Sequence, residues 1–119
     1  MSRSLFRIAA LSLLCSGALA QTPAPAPAEP SPERRIELIR MVRQDCGSCH
    51  GIQLTGGLGP AITRERMADF PYDSLVAVIY HGRPGTPMPG WKTMISESDA
   101  QWIARQLQLG FPLESAASR

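Results

Sequence analysis

No segment of the chain sustains strand alternation, no apolar run is long enough to cross a bilayer, no internal repeat is visible, and cysteine is scarce. The first absence leaves an all-α chain. The second makes the N-terminal apolar stretch a secretory signal rather than a transmembrane anchor. Arg3 and Arg7 give it a positive start, Ile8 to Cys15 an apolar core, and Ala18-Leu19-Ala20 the small residues of a cleavage site, so residues 1–20 are expected to be removed after Ala20. Leu13-Leu14 are too large to precede a lipid-bearing cysteine at Cys15, and no stable membrane anchor is expected. An excess of charge of one sign is also missing. The chain has 12 Lys+Arg and 10 Asp+Glu, and removal of Arg3 and Arg7 leaves ten of each. That balance leaves no argument from net charge for a nucleic-acid or anionic-lipid partner, and neither is expected.

Of three cysteines, Cys15 leaves with the signal, and Cys46 and Cys49 stand two residues apart. A pair so close cannot close a stabilising loop. Exported domains this small need a staple of some kind. The lack of a disulfide framework points to a cofactor.

What is present divides the rest of the chain in two. Residues 21–32 are dominated by Pro and Ala, which favour extended polyproline II, and predict an exposed, semi-rigid tether. The folded unit is expected over residues 33–113. Ser31-Pro32-Glu33 supplies a hydroxyl cap, a proline at the first position and an acid at the positive end, predicting a helix to about Asp45. Ile36, Ile39 and Val42, with Leu38 and Met41, form its apolar stripe, while Arg34, Arg40 and Arg43 are expected to face out. Gly51 to Pro60 is a glycine-rich loop. Short helices are expected over Arg64 to Asp69 and, capped by Asp73, over Ser74 to His81. Gly82 to Gly90 holds three Pro and three Gly and must be irregular. Ser96-Glu-Ser-Asp99 resembles a capping box and opens a last helix that stops at Gly110. Loops this long need something packed beneath them.

Cys46-Gly-Ser-Cys49-His50 identifies that something. Cys-x-x-Cys-His is the attachment motif for c-type haem: each thiol adds across a haem vinyl group, and the next residue, His50, turns beneath the iron as a ligand. Two other readings compete. A thioredoxin-like dithiol would follow a strand, yet Cys46 follows a helix. A zinc site would need Cys46, Cys49, His50 and His81 together.

The candidates for the second axial ligand are Met41, Met67, Met88, Met94 and His81. Met41 and Met67 sit at helical spacing and are expected in the core; Met94 is expected to pack on the last helix. Met88 stands between Pro87 and Pro89 in Gly85-Thr-Pro-Met-Pro-Gly90, a stiff loop that can present a thioether with little entropy lost. Methionine opposite histidine raises the potential and leaves no open site for a substrate. The second nitrogen of His50 needs an acceptor, and the Pro60 carbonyl in the Gly59-Pro60 turn fits. Arg83 and Trp91 flank the methionine loop as candidate donors to a haem propionate.

With this motif, the following Gly59-Pro60 and the Met88-Pro89 loop between two helices, residues 33–112 resemble the class I cytochromes c. The resemblance implies a small all-α fold of about four helices with long loops around one covalently bound haem. It implies crossed first and last helices, Cys46 and Cys49 as thioether positions, His50 and Met88 as axial ligands, and the Pro60 carbonyl accepting from His50. Leu54 to Pro60 and Gly82 to Trp91 are similar to the NirC family, small periplasmic cytochromes encoded beside cd-type nitrite reductases. That likeness implies a monomeric periplasmic electron carrier rather than an enzyme, delivering electrons to the reductase or to maturation of its haem d. A haem enzyme or gas sensor with a displaceable sixth ligand, and a general donor to a terminal oxidase or other reductase, are the alternatives.

Overall fold

Ser31 opens the first helix. In the computed structural model, which describes residues 28–112, the Ser31 hydroxyl accepts from the Arg34 N–H at 3.2 Å and Pro32 begins α1 (Pro32–Met41). The hydroxyl satisfies one orphan N–H of the first turn, and proline has none to satisfy. The signal segment with Cys15, and the tether as far as residue 27, lie outside the described residues.

The helical run does not end near Asp45. α1 passes into a π-helical turn (Val42–Cys46) and on into α2 (Gly47–His50), and Gly51 at φ 82° ends the run. With α3 (Arg64–Met67), α4 (Tyr72–His81) and α5 (Glu97–Leu109) this makes four helical segments, with no strand among the described residues. None of these helices is long and apolar enough to cross a membrane. α4 begins earlier than expected: Pro71 occupies the cap position and Asp73 lies in the first turn, where its charge still meets the positive helix end.

α5 starts where the sequence places it. The Ser96 hydroxyl accepts from the Asp99 N–H at 3.1 Å and the Asp99 carboxylate accepts from the Ser96 N–H at 3.0 Å. Arg34 of α1 donates to the same carboxylate, Nη2 to Oδ2 at 2.9 Å, which ties the starts of the first and last helices together. Burial pushes the Asp99 carboxyl up, but the Arg34 guanidinium and the two Ser96 donors outweigh it and hold the carboxyl below the usual aspartate range. A depressed carboxyl stabilises the fold above its unfolded pKa and loses that contribution as pH falls through the folded value. Asp99→Asn is therefore expected to cost about 1–2 kcal/mol at neutral pH. The gap to the wild type, read as unfolding midpoint against pH, should be flat from neutral to mildly acidic and close in strong acid. A gap that widens on acidification would contradict the pairing.

One buried cluster holds the helices together. Leu38, Ile39 and Val42 belong to it with Leu75, Val76 and Ile79 of α4 and with Ile95, Trp102, Ile103 and Leu107, and Met41 and Met67 pack at its margin. The backbones come closest between α4 and α5 and between α3 and α5. Leu54 enters from the loop after His50, 2 % exposed and at φ 61°. Left-handed backbone costs a leucine about 1–2 kcal/mol, and full burial of its side chain returns about 1.5–3 kcal/mol, so the strained turn persists.

Two expectations fail. Met94 does not pack on the last helix: it is 58 % exposed, while its neighbour Ile95 is buried in the core cluster. Arg43 does not face out. It is 8 % exposed, because helix geometry puts residues i and i+4 on one face and Arg43 follows Ile39 inward. Near the start of the described residues, Glu29 lies in the stretch read as tether, yet its carboxylate accepts from the buried Trp102 indole and from Arg105, both at 3.0 Å. An indole N–H with its ring in the core requires such an acceptor.

Candidate functional site

The motif residues stand on one short helical rise. Cys46 closes the π-helical turn, Cys49 and His50 end α2, and Gly51 sends the chain back over them. The return loop is bound to this rise by its own backbone: the Gly59 N–H donates to the Cys49 carbonyl at 2.8 Å and the Gly56 N–H to the His50 carbonyl at 2.8 Å. A β-carbon on Gly57 would lie 2.8 Å from the Cys49 carbonyl oxygen, and one on Gly59 3.0 Å from the His50 ring. Two of the loop's glycines are thus spaces that backbone and imidazole fill.

His50 is buried, 9 % exposed, with Nδ1 2.7 Å from the Pro60 carbonyl oxygen. A carbonyl only accepts, so Nδ1 carries the hydrogen and Nε2 keeps its lone pair. Nε2 makes no hydrogen bond among the described residues. An imidazole fixed by a carbonyl at one nitrogen and free at the other is the arrangement of a metal-ligating histidine. Two thiols and an oriented imidazole within five residues are the donor set of c-type haem, and the residues fit the group.

The competing chemistries fit less well. A thioredoxin-like dithiol follows a strand, whereas Cys46 lies in a continuous helical run from Pro32 and no strand occurs among the described residues. His81 ends α4 with its ring edge-on to Tyr80, and no group of three His, Cys, Asp or Glu side chains assembles a metal site among the described residues.

Met88 stands on a second loop, from Gly82 to Gly90. It is half-buried, and the loop is closed on itself. The Arg83 N–H donates to the Met88 carbonyl at 3.2 Å, the Thr86 N–H and hydroxyl donate to the Arg83 carbonyl at 3.1 and 2.7 Å, and the Met88 N–H donates to the Thr86 hydroxyl at 3.3 Å. Pro87 and Pro89 stiffen the loop, but Thr86 decides its shape, and sequence reasoning passed over it. The signal was a hydroxyl two residues before the methionine, where threonine side chains make local turns. At the base, a β-carbon on Gly82 would lie 2.5 Å from the Gly90 nitrogen, so the two ends of the loop touch.

Arg83 is exposed, its guanidinium free of hydrogen bonds among the described residues, and Trp91 is half-buried against the core with its backbone N–H on the Ile79 carbonyl. The structure brings Cys46, Cys49, His50 and Pro60 together in one unit and Arg83, Met88 and Trp91 in another. No hydrogen bond joins the two loops among the described residues.

The second residue that sequence reasoning missed is Arg43. Its Nη1 donates to the Ile52 carbonyl at 3.0 Å, Nη2 to the Phe111 and Pro112 carbonyls at 3.0 and 2.7 Å, and Nε to the Pro112 carbonyl at 3.2 Å. Its position four residues after Ile39 was the available signal.

Residues 37–105 match the family described as cytochrome C oxidase, cbb3-type, subunit III. Cytochrome c55X of Stutzerimonas stutzeri is 52 % identical over 85 residues, covering 71 % of this chain and 75 % of that protein. The solved structure of a c-type cytochrome NirC is 49 % identical with a TM-score of 0.66, covering 67 % of this chain and 94 % of that one. Dihydro-heme d1 dehydrogenase of Pseudomonas aeruginosa is 33 % identical over 74 residues, 62 % of this chain but 15 % of the dehydrogenase.

Proposed function

The chain belongs to the c-type cytochromes, in the family of NirC and cytochrome c55X, with haem c bound covalently, and we propose that it is a periplasmic one-electron carrier whose haem is attached at Cys46 and Cys49 and ligated by His50 and Met88. The observation that carries the reading is the 2.7 Å contact of His50 Nδ1 with the Pro60 carbonyl. It turns Nε2 into a ligand of fixed tautomer before any metal binds. The haem supplies a ferric–ferrous couple, and a thioether opposite an imidazole favours its reduced state. The protein's part is to hold both ligands still, so that an electron passes with little rearrangement. Thr86 and the pinched base of the second loop give Met88 that rigidity, and Arg83 and Trp91, which flank the same loop, would donate to the propionates.

The electrons serve nitrite reduction, either by delivery to cd-type nitrite reductase or by a redox step in maturing its haem d. The likeness to NirC supports both roles, and the likeness to a stretch of dihydro-heme d1 dehydrogenase supports the second. Export rests on the residues of the N-terminal signal.

In the ferric haem-loaded protein a weak near-infrared sulfur-to-iron band is expected, and Met88→Ala should abolish it and lower the potential. The same variant in the ferrous state should bind carbon monoxide rapidly, while the wild type should not. Rapid binding by the wild type would overturn the carrier reading in favour of an open-site enzyme or sensor. For the partner, mixing the reduced protein with purified cd-type nitrite reductase and nitrite should reoxidise it. Failure there removes the donor role and leaves maturation.

A further inference from the structure

We propose that Arg43 is a positioning residue for the haem ligand His50, a proposal that rests on His50 being that ligand. The guanidinium reaches across from the helical rise to the Ile52 carbonyl, two residues beyond His50, at 3.0 Å. Its other side holds the carbonyls of Phe111 and Pro112, after the end of α5, at 3.0 and 2.7 Å. The Phe111 ring lies beneath it, 5.5 Å from the guanidinium carbon, and meets Trp102 edge-on at 6.2 Å. Trp102 is 1 % exposed, the largest fully buried side chain. A continuous path of packed and hydrogen-bonded groups therefore runs from the core of α5 through Phe111 and Arg43 to the loop that leaves His50.

The backbone of that loop is held to the helical rise by Gly59 N–H on the Cys49 carbonyl and Gly56 N–H on the His50 carbonyl, both at 2.8 Å, but its exposed side chains add nothing to that hold. Ile52 is 70 % exposed and Leu58 94 % exposed, so their side chains give it no purchase on the core. The bond from the Leu54 N–H to the Gly51 carbonyl at 2.7 Å sets its shape, and neither this nor the bonds to the rise ties it to the last helix. Leu54 anchors its middle, and Arg43 anchors its start. The start bears on the imidazole's direction because the Pro60 acceptor, 2.7 Å from Nδ1, is carried on the same loop. A guanidinium suits the task for a geometric reason: its planar fork serves acceptors on two sides at once, which a lysine ammonium cannot do in one position.

The test uses the haem-loaded protein with Arg43→Lys, Arg43→Gln and, as a destabilised control remote from the loop, Asp99→Ala. Amide hydrogen exchange at Leu54, Gly56 and Gly59 is measured relative to the amides of α4, and the orientation of the axial ligands is read from the g-values of the ferric haem. In both Arg43 variants the loop amides should exchange roughly tenfold faster relative to α4, the effect of losing a charged hydrogen bond, and the g-values should shift. Asp99→Ala should change loop and α4 amides alike and leave the g-values in place. Unchanged g-values with uniform exchange in the Arg43 variants would show a residue that only stabilises the fold, and would overturn the proposal. His50→Ala separates this from the haem reading: an unaltered haem spectrum in that variant removes His50 as ligand, and with it the positioning role, whatever the exchange data show.

Discussion

A chain carrying Cys46→Ala and Cys49→Ala should lose covalent haem and most of its resistance to heat. Acidified solvent should strip the haem from the double variant and leave it on the wild type. The stability argument starts from size. The described domain spans residues 28–112, and its two long loops enclose only one buried leucine, Leu54. A domain of this size buries only a little more than about 60 % of the surface its unfolded chain exposes, so a staple contributes a large share of its stability. A covalent staple such as a disulfide contributes about 2–5 kcal/mol in a small exported domain, and a haem beneath both loops should contribute at least as much. For under 100 residues that lowers the unfolding midpoint by more than about 10 °C. Far-ultraviolet circular dichroism during heating is the measurement. A haem-free double variant that melts within a few degrees of the wild type would show that the helices and their aliphatic cluster suffice alone.

Gly82→Ala is expected to remove Met88 from the iron without touching Met88. Gly82 lies at φ 79°, ψ −176°, a region that essentially only glycine occupies. An added β-carbon would also fall 2.5 Å from the Gly90 nitrogen and 2.9 Å from the Met88 carbonyl oxygen. Both contacts are backbone, so no flexible side chain can yield. Strain and overpacking together cost about 2–4 kcal/mol, and the cheapest relief is for the Gly82–Gly90 pinch to open. Opening separates the Arg83 N–H from the Met88 carbonyl and frees the thioether. The near-infrared band should be lost or much reduced, and carbon monoxide should bind the ferrous protein faster than in the wild type. Gly85, with open space around its added β-carbon but a φ of 78°, makes a useful comparison. Gly85→Ala carries the backbone strain without the clash and should keep the band. If both variants keep it, the pinch does not hold Met88.

The sequence by itself determined the family, its haem-attachment motif and two helix starts. Ser31-Pro32 and the Ser96–Asp99 box set two helix starts, because caps are made between residues three apart and need no tertiary partner. Cys46, Cys49 and His50 were legible because their spacing is a local property of one helical rise, and Pro60 because a proline carbonyl ten residues on had few other uses. Tertiary structure decided where side chains of mixed character went. Arg43 reads as a solvent residue by its charge, yet three carbonyls from two distant stretches meet it inside, and nothing local announces them. Glu29 reads as tether until the indole of Trp102 needs an acceptor. Met94 and Ile95 are apolar neighbours whose N–H groups share the Trp91 carbonyl, and only the packing of the fold puts one outside and the other in the core. The Met88 loop shows the division at its sharpest: its prolines and glycines gave away its stiffness, while its closure through Thr86 and the Gly82–Gly90 contact depends on where the chain's two ends of that loop meet. Local rules act over three or four residues, and buried polar groups must find their partners wherever the fold brings them.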